Sequence, residues 1–329
     1  MQQTTEHGLL TLSSFEFPVS KSPMNRTSSN PWLHRYATLV AFCTFLLIIA
    51  GALVTSNDAG LSVPDWPTSF GSFRMPRMVG GILYEHGHRM IAGTVAILTV
   101  LLAVWLWLKE SRRWVRWLGI GTVLAVLAQA TLGGITVLFY LPPAVSSAHA
   151  TLGQIFFCIN VSLALFTSPR WRWDEPKAED PSTPSLRALT ILTTGAILVQ
   201  LILGALYRHS AFGITPHLIG ALVVGVLVLY VGARVLMRFS KRRGLLHAAL
   251  LLMGLLIAQV SLGIASYVVK MADLHAPQPL PPVVDLTTAH VAVGALMLVS
   301  SLYLTYQAHR FLAPADDLDI ASAPHGATV

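Results

Sequence analysis

The sequence predicts an all-α integral membrane protein: eight transmembrane helices arranged as two tandem four-helix bundles, with both termini inside. Three observations predict it. Of the 329 residues, 54% are hydrophobic and only 11% charged, with a mean hydropathy of +0.63, where a soluble domain carries about 25% charge. Eight apolar runs reach the about 20 residues needed to cross about 30 Å of hydrocarbon. Finally, motifs of the first four runs recur in the last four.

The runs are 35–55, 85–108, 116–139, 144–167, 186–207, 212–236, 245–269 and 285–308. Each is read as a helix, because an isolated segment in lipid must satisfy its own backbone. Residues 1–34 are rich in Ser and Thr and are expected to form a flexible tail. The first apolar run is too long for a cleavable signal. Residues 35–167 form the first half, 168–185 a charged inside linker, 186–308 the second half and 309–329 a soluble tail carrying Asp316, Asp317 and Asp319. Breaks fall at Asn57-Asp58, at Lys109 to Arg113, at Pro142-Pro143 and over Pro277 to Pro282.

The net charge of +7 comes from basic residues in short loops between the runs. That pattern reads as membrane topology rather than as a nucleic-acid surface, and no nucleic-acid partner is expected. Seventeen of the 22 Lys and Arg residues lie in inside segments if the N-terminus is inside. The outside set is Arg74, Arg77, Arg89, Arg208 and Lys270. Cys43 and Cys158 lie within apolar runs, so neither a structural disulfide nor a zinc site is expected.

The internal repeat is visible in short matches. Gly51-Ala52-Leu53 pairs with Gly204-Ala205-Leu206, Gln129 to Gly133 with Gln259 to Gly263, and Ser147-Ala148-His149 with Thr288-Ala289-His290. His88 and His217 occupy matching places near the starts of the second and sixth helices. Ionisable groups in a membrane mark functional sites by default. Four histidines at one depth, two in each half, suit paired ligation of a metal or a haem iron between facing helices. Taken singly, each could instead serve as a hydrogen-bond partner between helices. Gly93, Gly153 and Gly220 follow these histidines and could leave room for a macrocycle. A di-iron carboxylate bundle needs paired Glu-x-x-His motifs, and only Glu85-x-x-His88 fits.

Glu85 and His88 share one helix face, while His86 points elsewhere. Ile214 stands where the second half would carry the acid, so only the first half has a carboxylate beside its histidine. Glu85 could also serve as an i,i+4 partner of Arg89 or as an acid favoured by the helix N-terminus. Arg89 could bind a carboxylate of the ligand. Gln129 and Gln259 are read as interhelical hydrogen-bond formers that could also touch a macrocycle edge.

These residues resemble the haem A synthase family (Cox15/CtaA). Gly60-Leu61-Ser62-Val63-Pro64-Asp65-Trp66-Pro67 is similar to its first-loop signature, and Glu85 to Arg89 with His149, His217 and His290 completes the pattern. The resemblance covers about 35 to about 310. It implies oxidation of the ring D methyl group of haem O to the formyl group of haem A for terminal oxidases. It also implies haem O as substrate between His88 and His149, with Glu85 catalytic, and haem b as cofactor between His217 and His290. Its further implications are a bacterial cytoplasmic membrane (rather than a mitochondrial one), membrane lipid as surroundings, and a haem O synthase and an electron acceptor as partners. Val63 and Ser69 stand where many bacterial members carry a cysteine pair, so no outer-loop disulfide can relay electrons here. A di-haem b electron carrier and a transporter with parallel repeats are the alternative readings.

Overall fold

A computed structural model describes residues 30–172, 177–272 and 276–314. It has eight helices long and apolar enough to cross a membrane. They are α1 (Pro31–Ser56), α2 (Gly81–Lys109), α3 (Arg113–Leu138), α4 (Pro143–Thr167), α5 (Leu186–Arg208), α6 (Thr215–Arg238), α7 (Arg243–Ala272) and α8 (Pro281–Phe311). The molecule is therefore an all-α integral membrane protein. The expected tails, apart from residues 30–34 and 309–314, lie outside the described residues, as do His7, His275 and His325.

Helix starts are set by local chemistry. The Asn30 side chain accepts from Trp32 N at 3.0 Å and Leu33 N at 3.2 Å, and Pro31 follows at the first helical position. That pairing of an N-cap with proline suits a helix entry, so α1 begins inside the segment expected as tail. The prolines read as breaks act alike: Pro143 and Pro281 open helices, because the first turn needs no N–H from them.

Short connections make consecutive helices antiparallel. Helix α1 packs on α2 and α4, and α3 packs on the same two; α5 and α7 pack in the same way on α6 and α8. Contacts of α1 with α8, and of α4 with α5 and α8, join the two sets. Within their most apolar stretches, α4 and α8 have 50% of residues buried against 22% in α5 and α7, which makes them the central elements. Outward-facing Leu101, Leu127, Leu222 and Ile257 remain exposed, as lipid-facing side chains do.

The segment read as a plain linker is tied down. Pro169–Arg172 forms a 3-10 turn, and β1 (Ala178–Asp180) pairs in parallel with β2 (Leu312–Pro314). The Asp180 carboxylate accepts from Leu186 N at 2.5 Å and Ser182 N at 3.2 Å, fixing the entry to α5. Arg310 donates to the Arg170 carbonyl at 2.9 Å and lies over the Trp171 ring. These two short strands are the departure from an all-helical chain. They form where two segments leave the same end of the helices with backbone groups to satisfy.

Candidate functional site

All four repeat histidines sit in one structural setting. Each even-numbered helix supplies a histidine near its start, and the preceding helix supplies a glycine near its end. A Cβ added to Gly51 would lie 3.1 Å from Cε1 of His88, and one on Gly133 would lie 3.2 Å from Cε1 of His149. For Gly204 with His217 and for Gly263 with His290 the figure is 3.0 Å. The imidazoles thus rest on bare glycine backbone of the facing helix. Because the hairpins run the same way, all four lie at one end of the bundle.

The glycines expected to make room do not themselves carry an imidazole, although Gly220 lines an apolar cavity between α5 and α6. A Cβ on Gly93 meets nothing within 4 Å, while those on Gly153 and Gly220 would meet Gln129 and Gln200. They follow the histidines on the same helix, so they lie a turn deeper.

Glutamines brace three of the four rings. Gln129 Nε2 donates to the His149 carbonyl at 2.8 Å, and His149 Nδ1 lies 3.1 Å from the Gln129 carbonyl. Gln200 Nε2 donates to the His217 carbonyl at 2.8 Å and lies 3.0 Å from its Nδ1. Gln259 Nε2 lies 3.3 Å from His290 Nε2. Gln200 escaped the reading of the sequence. The signal was available, because it precedes Gly204 by four residues, as Gln129 precedes Gly133 and Gln259 precedes Gly263. In α1 the same place holds Leu47.

The donor set suits a metal-centred macrocycle. The His217 and His290 ring centroids are 6.3 Å apart with planes 75° to one another. Metal–imidazole bonds are about 2.0–2.1 Å, so both rings could reach one ion between them. Buried Nδ1 atoms of His88 and His290 have no hydrogen-bond partner. His88 and His149 are close enough to interact electrostatically. An apolar cavity of about 440 Å³ lies between α5 and α6, lined by Gln200, Leu203 and Gly220. Among the described residues, His, Cys, Asp and Glu form no group of three that could hold a metal ion, so the histidines offer two-ligand sites.

Beside His88 the chain carries a folded strap, the segment between α1 and α2. Glu85 is buried, with Oε2 accepting from Val63 N at 2.9 Å and Oε1 from Arg89 Nη2 at 2.6 Å. Arg89 also donates to the carbonyls of Asp65 at 2.7 Å, Thr68 at 3.1 Å and Val63 at 3.0 Å. The glutamate and arginine therefore form the i,i+4 pair, and together they grip the loop signature. No hydrogen bond joins Glu85 to His88 among the described residues. His86 points to the strap, its Nδ1 2.9 Å from Ser69 Oγ.

The strap is stiffened from within. Asp65 accepts from the Thr68 hydroxyl, from Gly71 N at 2.9 Å and from Phe70 N at 2.6 Å. Those bonds, the Thr68 one foremost, hold its carboxyl down to about 2. Trp66 reaches α3, where a Cβ on Gly134 would meet its indole at 2.8 Å. At the other junction, His209 follows α5. Burial, then the charge of Arg208 and the neighbouring His149, lower its imidazole to about 4 and keep it neutral. His34 and His309 bond to the Ala164 and Thr305 carbonyls, each at 2.9 Å.

Comparison with known proteins bears on this geometry. Residues 78–216 match the COX15-CtaA family, described as cytochrome oxidase assembly protein. That stretch holds Glu85, His88, Arg89, Gln129 and His149 and stops just short of His217. A protein of Shewanella oneidensis named "Heme A synthase" is 26% identical over 338 aligned positions, 84% of this chain and 95% of its own length. One of the same name from Lysinibacillus sphaericus is 30% identical over 185 residues, 55% of this chain and 59% of its own length. A third, from Bacillus pumilus, is 34% identical over 136 residues, 40% of this chain. The last two alignments thus span about half the length of those relatives, 59% and 44%. Together, the family match across the Glu85 to His149 site and the near full-length Shewanella alignment make this chain similar to the COX15-CtaA family.

Proposed function

We propose that this protein is a haem A synthase, oxidising the ring D methyl group of haem O to the formyl group of haem A. The observation that carries the proposal is the fourfold histidine-on-glycine frame at one end of the helices, with an acid beside the first histidine only. The relatives named "Heme A synthase" support the same reading. In this proposal residues 35–167 seat the substrate haem between His88 and His149, and residues 186–308 seat haem b between His217 and His290. The surroundings are a bacterial cytoplasmic membrane, with a haem O synthase and an electron acceptor as functional neighbours.

Haem iron, when bound, supplies the redox chemistry that side chains lack. The chain's own tasks are positional. His88 and His149 fix the macrocycle's depth, and Gly51 and Gly133 let the helices approach closely enough for both rings to face it. The strap, locked by Arg89 on three loop carbonyls, limits water at this end. Glu85 is the proposed proton-handling group. Its carboxylate is buried and already accepts two hydrogen bonds, so a proton would enter on a remaining lone pair beside Arg89 and Val63.

The test is haem extraction with mass identification from the purified wild type and from Glu85→Gln. Haem b together with haem O or A is expected from the wild type, and haem b with haem O alone from the variant. Full conversion by Glu85→Gln would refute its role. The likeness of the four histidine settings also favours a di-haem b electron carrier, and recovery of haem b alone from the wild type would select that reading.

A further inference from the structure

Arg208 ends α5 and, among the described residues, has no acidic partner in contact. Its Nη2 leaves its own hairpin and donates to the Ala52 carbonyl at 3.0 Å and to Ser56 Oγ at 2.7 Å, both on α1. Both acceptors are neutral. Among the described residues the ion pairs are Glu85–Arg89 and Glu110–Arg112, and Asp58 acts on Arg208 only from a distance. A part-buried guanidinium with neutral partners in an apolar bundle is costly unless an anion joins it. The dipole of α5 favours a cation at its end, but a dipole does not require the guanidinium to cross to α1.

Its place is the seam between the two histidine pairs. Ala52 follows Gly51, the residue on which His88 rests. Ser56 Oγ is also bonded to Thr287 Oγ1 at 2.9 Å and Thr288 Oγ1 at 3.1 Å, in the turn of α8 that leads to His290. Ser147, just before His149, donates to the carbonyl of Ala205, which follows the Gly204 cradle of His217. The charge of Arg208 reaches His290. Matching Gly51-Ala52-Leu53 to Gly204-Ala205-Leu206 sets Thr55 against Arg208, so only the second half provides this cation. With both of these bonds on Nη2, the Nε and Nη1 donors point to different sides of the guanidinium and each remain for a carboxylate oxygen.

We propose that Arg208 is an anion-binding residue shared by the two sites, taking carboxylates of the macrocycles seated by the histidine pairs. This rests on the reading that those pairs hold haem. Arg208 then ties ligand binding in one set of helices to the packing of the other.

The test compares retention of haem b and of its dimethyl ester, which lacks carboxylates, by the purified full-length protein challenged with a haem-scavenging apoglobin. The wild type is expected to keep the free acid about tenfold longer or more, the worth of one charge-assisted hydrogen bond. Arg208→Gln should erase that preference and Arg208→Lys should keep part of it. Ser56→Ala, which removes a seam bond but leaves the charge, should keep all of it. Equal retention of acid and ester by the wild type overturns the inference without any variant, and so does an undiminished preference in Arg208→Gln. A protein that takes up no haem at all overturns the two-site reading and this inference with it.

Discussion

Glycine and histidine carry the site between them, and their pairing can be tested one methyl at a time. A Cβ at position 204 would lie 3.0 Å from the His217 ring, so the imidazole must yield by a few tenths of an ångström. Gly204→Ala should lower the haem content of the purified protein while leaving its helical circular dichroism unchanged. Gly225, also helical, has nothing within 4 Å of an added Cβ. Gly225→Ala should instead keep the full haem spectrum and gain about 0.5–1 kcal/mol from backbone entropy alone. Equal spectra from the two variants would count against the cradle. Asp65 makes a separate prediction in pH. Its folded pKa, about 2, lies below its ordinary 3.8, so the unfolded strap takes up the proton first. The stabilisation is fully present above about pH 4 and is lost as pH falls toward about 2. Amide exchange at Phe70 and Gly71, corrected for intrinsic rates, should lose protection in that window, and flat protection through it would sink the assignment.

The strap between α1 and α2 depends on one guanidinium. Arg89 holds three loop carbonyls and the buried Glu85, and the pair is largely shielded, with side-chain exposures of 17% and 5%. Removing one partner of a buried pair costs about 3–5 kcal/mol. Arg89→Gln should therefore lower thermal stability by about that amount and expose Val63 and its neighbours to rapid amide exchange. Near-wild-type exchange there would mean that Trp66 against α3 suffices to hold the strap. A basic residue at position 89 is thus structural whatever the ligand, and its proposed contact with a ligand carboxylate would compete with four existing bonds.

Across the whole molecule the histidine end and the basic end lie on opposite faces. Arg112, Arg170 and Lys241 lie near the ends of α2, α4 and α6 away from the histidines. The charge bias predicts that the first end faces outward. A cysteine placed at Ser72 in the strap should react with a membrane-impermeant maleimide on intact cells, whereas one at Ser111 between α2 and α3 should react only after permeabilisation. The reverse pattern would invert the protein and put the histidine frame on the inner side. The seam between the two sets of helices is polar as well as packed. Ser162 of α4 bonds Tyr306 of α8 at 2.9 Å and Phe157 of α4 packs with Ala295 and Val299 of α8, so α4 and α8 are held together at more than one level.

The amino-acid sequence alone determined the eight spans, their class and the common level of His88, His149, His217 and His290. It could do so because a span in lipid must close its own hydrogen bonds, and counting along a helix then gives depth without knowledge of any neighbour. The pairing of Glu85 with Arg89 was also within reach, since four residues on one helix are always adjacent. What each helix turns toward was not within reach. Gly51, Gly133, Gly204 and Gly263 matter only because the rotation of one helix brings bare backbone under a ring on the next. The grip of Arg89 on Val63, Asp65 and Thr68 depends on how an irregular loop folds back. Arg208 reads as a loop cation until the tertiary structure carries α5 against α1 and sets its guanidinium on Ala52 and Ser56. Lateral rotation and packing partners depend on residues far apart in the chain, and only the assembled helices decide them.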